Sequence, residues 1–316
     1  MVSDRRCGRD RAQLVLVGSI AIAFIVLGLV VVFNTVLFTE NIAARGSVDE
    51  VEEATEFQQQ VEREVPELIR RVENGTVSNG ELTSNVEANV SGTYSRLLAE
   101  THAESGTKYV DVEFDESEST FQTRITHTET EFQRAGGTGD WSPVNSERNV
   151  TDFRAQMVVN QLSDTGPGTE NFTVLLENSS DRIEVRFEKN PSNEMEITSN
   201  YSGNVETCSV GDYNEKAWVN LSTGSSVNKS GCDFYALDDL KAPYTVHFQN
   251  PDRVEGNYTF LASGSGIASQ PVYHDRDGSS SPYATLLVKE ANLDLTFETG
   301  TVTYEGNRTV TVREGP

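Results

Sequence analysis

The side chains in this sequence that could carry chemistry are few: four histidines, three cysteines and a large surplus of carboxylates. His102, His127, His247 and His274 stand far apart, and none has the His-x-x-x-His spacing that turns two imidazoles toward one zinc ion. His127 falls in an alternating stretch and reads as a structural histidine rather than a general base. Ser263-Gly264-Ser265-Gly266 is a loop tract, not a nucleophile elbow between a strand and a helix. No glycine-rich loop of the phosphate-cradling kind is present. Carboxylates are so frequent that a pair suited to glycoside hydrolysis is indistinguishable from a solvated face. Asp275-Arg276-Asp277-Gly278-Ser279 begins like a calcium loop, but the third acidic ligand and the closing glutamate are missing, so it reads as a turn. The expectation is a protein with no catalytic residues, no metal site and no cofactor.

Two kinds of covalent chemistry remain. Asn-x-Ser/Thr, the acceptor pattern for N-linked glycans, occurs at Asn74, Asn89, Asn149, Asn171, Asn178, Asn200, Asn220, Asn228, Asn257 and Asn307. Chance alone would give about four at this Ser/Thr content, and the motif has meaning only outside the cytoplasm. Cys208 and Cys232 are both flanked by turn-like sequence, and in an oxidising compartment they are expected to pair, closing a loop worth about 3 kcal/mol. A metal pair is the weaker reading, since no histidine or further cysteine lies close to either. Cys7 follows Arg5-Arg6 and reads as a plain thiol on the reducing side.

The elements that must position these groups fall into four stretches. Residues 1–13 form a short basic leader with Arg5, Arg6, Arg9 and Arg11. Residues 14–38 are an uncharged apolar run with only Asn34 strongly polar, long enough at 1.5 Å per residue to cross a ~30 Å hydrocarbon core. The arginines before it, and Glu40, Asp49, Glu50, Glu52 and Glu53 after it, place the N-terminus in the cytoplasm and the rest of the chain outside. Gly18, Ala21 and Gly28 supply small residues for close helix packing. Residues 39–104 read as an extracellular helical segment, either a hairpin or a stalk. Val51, Ala54, Phe57, Val61, Val65, Leu68 and Val72 make one apolar stripe, with Pro66 expected to kink it. Leu82, Val86, Val90, Tyr94, Leu97 and Leu98 make the second.

Residues 105–316 read as a β-rich ectodomain. Tyr109–Phe114 and Phe121–Ile125 alternate, and short strand-like runs follow as far as Val310–Val312, separated by Gly/Asn/Ser turns such as Glu305-Gly306-Asn307. The fold class expected is therefore α+β: an N-terminal transmembrane helix and a helical stalk or hairpin, followed by an antiparallel, sandwich-like ectodomain. Residues 130–150 and 263–282 are the Gly-rich, polar loops. Trp141 falls in the first of these, whereas Trp218, beside Val219 and Leu221, reads as core. The chain carries 49 acidic residues against 25 basic ones, a net charge of -24, which excludes nucleic acid as a partner. Only six of the basic residues are lysines, a composition suited to concentrated salt, where self-repulsion is screened.

The segment Arg9-Asp10-Arg11-Ala12-Gln13-Leu14-Val15-Leu16-Val17-Gly18-Ser19 resembles the start of archaeal type IV pilin-like proteins, above all those of haloarchaea. That resemblance covers about 30 residues. It implies a prepilin peptidase that cuts between Ala12 and Gln13, an apolar helix that stays in the lipid or packs with pilin-like subunits, and a β-rich head. Many pilins carry a glutamate early in the mature helix, and here Val17 is the fifth residue after the implied cut. The expected function is a membrane-anchored extracellular surface protein, pilin-like or adhesive or part of the envelope. The alternative is a ligand-binding or sensory ectodomain that acts with a partner subunit.

Overall fold

In the computed structural model, residues 7–104, 106–166, 168–211, 215–227, 229–274, 276 and 280–313 are described, with most side chains of residues 7–49 outside that description. A single helix, α1 (Cys7–Gly75), is followed by α2 (Leu82–Glu87), a π-helical turn (Ala88–Tyr94) and α3 (Ser95–Glu104). Thirteen strands come next: β1 (Tyr109–Glu131), β2 (Trp141–Arg148), β3 (Val150–Val158), β4 (Phe172–Glu177), β5 (Arg182–Lys189), β6 (Met195–Tyr201), β7 (Asn204–Val210), β8 (Lys216–Asn220), β9 (Ser225–Ser226), β10 (Tyr244–Gln249), β11 (Glu255–Ser263), β12 (Tyr283–Glu298) and β13 (Thr303–Thr311). They form a seven-stranded sheet, ordered β13-β12-β1-β11-β3-β8-β9, and a six-stranded sheet, ordered β2-β10-β4-β5-β6-β7. Every strand pairing is antiparallel.

The long sheet has two cores on one face. Ile125 and Ala284, paired across β1 and β12, belong to the core shared with the six-stranded sheet. Leu286 and Val288, on the same face of β12, belong to the core shared with the helices. The sandwich core is dense in aromatics. Phe132, Phe153, Phe172, Phe187, Phe248 and Phe260 are all at most 1 % exposed. The Phe248 ring meets Phe172 edge-on at 5.4 Å and Trp141 at 5.6 Å, a favoured arrangement of ring quadrupoles. In the helical core Phe57 lies 5.8 Å from Phe297 and meets His102 edge-on.

The strands of the long sheet are staggered, and this creates two open edges. β11 pairs with β1 only from Gln122 onward, so the first part of β1 has a free side. β13 reaches only Glu290 of β12, with Val312 N–H still donating to the Lys289 carbonyl and His274 bridging Tyr283, so Ala284–Val288 between them has an open side too. Unpaired N–H and C=O groups on such edges invite other chains. Side chains from the helices close both. The hydroxyls of Ser91 and Ser95 accept from Phe114 N–H and Val112 N–H, each at 2.9 Å. On the other side Asn79 acts like a short piece of strand: its Oδ1 accepts from Leu286 N–H at 2.8 Å, and its Nδ2 donates to the Ala284 carbonyl at 2.8 Å. Glu73 accepts from Val288 N–H at 2.6 Å.

Several expectations are corrected. The transmembrane helix in the expected fold class is overturned: among the described residues no helix is long and apolar enough to cross a membrane. Of residues 14–38, only the side chains of Ile22 and of Phe24–Val32 are described. Ala12, Gln13 and the rest of that stretch carry side chains outside the described set. Nor is there a break between this stretch and the stalk, for α1 runs on through Pro66. Pro66 removes one helical hydrogen bond, a cost of about 3 kcal/mol. Burial of Phe57, Val61, Val65 and Ile69 on both sides of it keeps one register against the sheet and offsets that cost. In the second stripe the π turn inserts a residue, so Leu98 turns inward while Leu97 stays half exposed.

Among the strands, Glu305–Asn307, which reads as a turn, lies inside β13, and the polar run Asp115–Thr120 between two expected strands lies inside β1, because one face there is open to water. β2 and β7 escape the periodicity reading, being polar edge strands. The two tryptophans exchange places. Trp141 is 4 % exposed and donates from Nε1 to the Phe132 carbonyl at 2.7 Å. Trp218 is 41 % exposed, because Ala217 and Val219 on either side of it take the inward positions of β8.

His127 is buried at 1 % exposure, with its ring stacked on Tyr258 at 4.9 Å and its Nε2 3.1 Å from the Thr130 carbonyl. Burial lowers its pKa below the usual histidine value, and the carbonyl contact only partly opposes this. The unfolded chain therefore binds more protons than the folded one below about pH 6.5, so the His127 contribution is complete above that pH and is lost as the pH falls through it. Thermal melts between pH 7 and pH 5 should show a falling melting temperature, with a shallower slope in His127→Gln.

Candidate functional site

Chemistry of the nucleophile–base kind finds little support in the geometry. Ser142 Oγ lies 2.9 Å from His247 Nδ1 on the outer face of the six-stranded sheet, and Thr130 Oγ1 lies 3.2 Å from His127 Nε2. No carboxylate among the described residues makes a hydrogen bond or ion pair to either ring, so neither pair has the third group that orients a base. No group of three metal-ligating side chains occurs among the described residues. Asp275, Asp277, Gly278 and Ser279 of the calcium-like turn lie outside them. Two polar grooves are present. One, of about 740 Å³, forms where the two Gly-rich loops meet and includes Gln133, Arg134, Gly137, His274 and Ser281. The other, of about 590 Å³, lies under Gly166–Glu170 and includes Asn171, Arg186 and Glu188.

The covalent-modification sites have clearer geometry. Cys208 at the end region of β7 and Cys232 in the segment after β9 form a disulfide, with Cα atoms 5.5 Å apart at a sequence separation of 24. The bond ties the edge of one sheet to the loop that closes the other. The acceptor asparagines divide by what the fold does with their amide nitrogen. Asn74, Asn149, Asn200 and Asn307 are exposed, Asn89, Asn178, Asn220 and Asn257 are half-buried, and Asn171 is buried at 7 %. Asn228 lies outside the described residues.

Five of these amides donate hydrogen bonds. Asn89 donates to Asn85 O at 2.8 Å, Asn178 to Lys241 O at 2.9 Å and Asn257 to Gln156 Oε1 at 3.0 Å. Asn307 donates to both Asn292 and Asp294. Asn171 donates to the buried Glu188 at 2.9 Å, in a cluster that also holds Arg186. Asn74, Asn149, Asn200 and Asn220 make no such donation to a described residue. In Asn200 and Asn220 the side-chain oxygen is instead used to fix a turn, accepting from Gly203 N–H at 3.1 Å and from Ser222 N–H at 2.9 Å. That leaves the nitrogen directed away from the backbone.

A glycan cannot be accommodated at Asn171 without exposing Glu188. Glycopeptide mapping should therefore find Asn171 bare in folded protein, and Asn171→Gln should lower stability by about 1–3 kcal/mol through the lost bond to Glu188. Both effects would be read by mass spectrometry and denaturant titration.

Fold and site together define a β-sandwich with a docked helical segment, an internal disulfide and acceptor asparagines spread over its outer faces. Residues 8–150, from α1 to the first residue of β3, match a family described as a family of unknown function, DUF7261. No curated protein and no solved structure matches the chain.

Proposed function

We infer that this chain is a non-enzymatic cell-surface protein, with a glycosylated, disulfide-closed β-rich head displayed outside the cytoplasm and an N-terminal segment that holds it at the cell envelope. Its role on this reading is adhesive or structural, or that of a pilin-like component processed between Ala12 and Gln13. The observation that carries the reading is the combination of a formed Cys208–Cys232 bond with four acceptor asparagines, Asn74, Asn149, Asn200 and Asn220, whose amide nitrogens donate to no described residue. Disulfides persist in oxidising compartments, and N-linked acceptors are used there. The acidic, lysine-poor composition adds a preference for concentrated salt, which supports a haloarchaeal setting.

A second reading, a ligand-binding ectodomain working with a partner subunit, is favoured by the groove where the loops around Gly137 and His274 meet. Peptide mass spectrometry on purified envelopes tests the first. The expected result is the chain in that fraction, with Cys208 and Cys232 oxidised. A first residue of Gln13 supports pilin-like processing, and a first residue of Met1 or Val2 removes it. Recovery of the chain only as a reduced cytoplasmic protein would overturn the whole reading.

A further inference from the structure

We propose that Asn200, at the β6–β7 hairpin, is an N-glycan acceptor and that its first sugar packs on Val205 of the facing strand. This rests on the extracytoplasmic reading above and adds to it a particular site and a contact.

The hairpin is tight. Tyr201 pairs with Asn204, and Ser202 and Gly203 between them take φ of 51° and 87°. Two residues at positive φ are the mark of a two-residue loop whose twist matches that of the strands. Asn200 stands just before this turn and is exposed. Its Oδ1 accepts from Gly203 N–H at 3.1 Å, which fixes the amide plane, and its Nδ2 donates to no described residue. Ser202 completes the acceptor triplet Asn200-Tyr201-Ser202; it too is exposed and bonds to no described residue. The other acceptors with an idle nitrogen differ at this third position. Thr76, two residues after Asn74, donates to the Val72 carbonyl at 2.8 Å. Ser222, two after Asn220, accepts from Phe153 N–H at 2.8 Å. Thr151, two after Asn149, is half-buried within β3. The triplet is recognised through both its asparagine and its hydroxyl residue, and the β6–β7 hairpin leaves both open in the folded chain.

The surroundings suit a sugar. In register, Asn200 lies opposite Val205 on β7 and opposite Glu184 on β5. All three are on the outer face of the six-stranded sheet, since Met195, Ile197 and Ser199 of β6 take the inner one. Directly opposed side chains have Cβ atoms roughly 5 Å apart. Val205 is 60 % exposed, an aliphatic group turned to water. A pyranose ring has a face of C–H groups and a rim of hydroxyls. Its C–H face takes the Val205 methyls out of water, and a rim hydroxyl donates to the Glu184 carboxylate. β7 is the last strand of its sheet, so a bulky hydrated group beside it also hinders the addition of another strand.

In the transfer step Asn200 Nδ2 attacks the anomeric carbon of a polyprenyl-phosphate-linked glycan donor. The new N–C bond forms as the C–O bond to phosphate breaks. The lipid phosphate leaves with the electron pair, and the amide proton passes to a base of the transferase.

The test uses the full chain purified from the cells that make it, beside Ser202→Gly, Val205→Thr and the double variant. Ser202→Gly breaks the triplet but keeps Asn200 and its bond to Gly203, and glycine suits the positive φ. Val205→Thr keeps the β-branched shape and makes the surface polar. Tryptic peptide 190–216 holds Asn200 as its single acceptor, so its mass after reduction reads the site directly. The expected result is sugar on Asn200 in the wild type and in Val205→Thr, and none there in the two chains that carry Ser202→Gly. Val205→Thr should lower the melting temperature by about 2 °C more in the sugar-bearing background than in the bare one. Equal shifts in the two backgrounds, with Asn200 occupied, overturn the contact. A bare Asn200 in the wild type, with sugar on Asn74, Asn149 or Asn220, overturns the site but leaves the surface reading intact. Bare acceptors throughout overturn both.

Discussion

Glu73→Ala is expected to destabilise the fold by about 3–5 kcal/mol, among the largest effects available to one side chain here. Glu73 is 2 % exposed at the end of α1. Its carboxylate forms an ion pair with Arg313, near the C-terminus, and accepts the Val288 N–H on the open side of β12. Its backbone carbonyl accepts from Arg276 at 3.4 Å, which places a cation at the negative end of the helix. Alanine removes the anion but leaves the Arg313 guanidinium largely buried and the Val288 N–H bare. That asymmetry, a charge stranded by the loss of its partner, is what makes the effect large. Glu73→Gln keeps an acceptor for Val288 and should cost less, about 1–3 kcal/mol. Urea titrations of the two variants, compared at equal m-value, check both the size and the order. A loss below about 1 kcal/mol for the alanine variant would show that the pair does not hold α1 to the sheet.

Cys208→Ser together with Cys232→Ser is expected to lower stability by about 2–4 kcal/mol, chiefly by releasing the loop in the unfolded chain. Between the two cysteines run β8 and β9, and just beyond Cys232 the chain reaches back to the six-stranded sheet, where Tyr235 N–H donates to Ser199 Oγ at 2.9 Å. Cys232 itself is 1 % exposed and packed among Phe234, Ala236 and Leu237. Serine there also buries a hydroxyl in an apolar place. Cys232→Ala with Cys208→Ala separates the two terms: the loop term stays and the buried hydroxyl is absent. The readout is the denaturation midpoint with and without reductant. Reduction of the wild type should reproduce most of the alanine pair's loss, and no response to reductant would remove the disulfide from any role in stability.

How much of this was legible in the sequence depends on how each feature is encoded. Apolar stripes with a fixed period carried well: Phe57, Val61 and Val65 on α1, and Phe172, Val174 and Leu176 on β4, all face cores. Short-range pattern failed where one strand passes from an apolar surrounding to water. β1 keeps its pairing with β12 on both sides of the acidic stretch at Asp115–Ser119, which period alone reads as a gap. The tryptophans were misplaced because size was weighed above parity, and Ala217 and Val219 already assigned Trp218 to the outside. The roles of Glu73, Asn79, Ser91 and Ser95 were not legible at all. Each is a polar residue in a polar helix, and each acquires its meaning from a strand edge in a distant part of the chain. The acceptor asparagines were visible as a set, but only packing separates the buried Asn171 from the exposed Asn200.

The staggered edges of β1 and β12 have a consequence for the order in which the chain can be finished. The bond from Glu73 to Val288 joins residues 215 apart, and the bonds of Asn79 to β12 span more than 200. During synthesis the apolar face of α1 is made early and its partner strands last. Until β12 and β13 emerge, Phe57, Val61 and Ile69 have only the following helices and β1 to pack against, and the apolar surface left exposed draws chaperones and proteases. A chain that stops short of β12 therefore carries a half-covered helix, so the protein has a built-in distinction between complete and truncated copies.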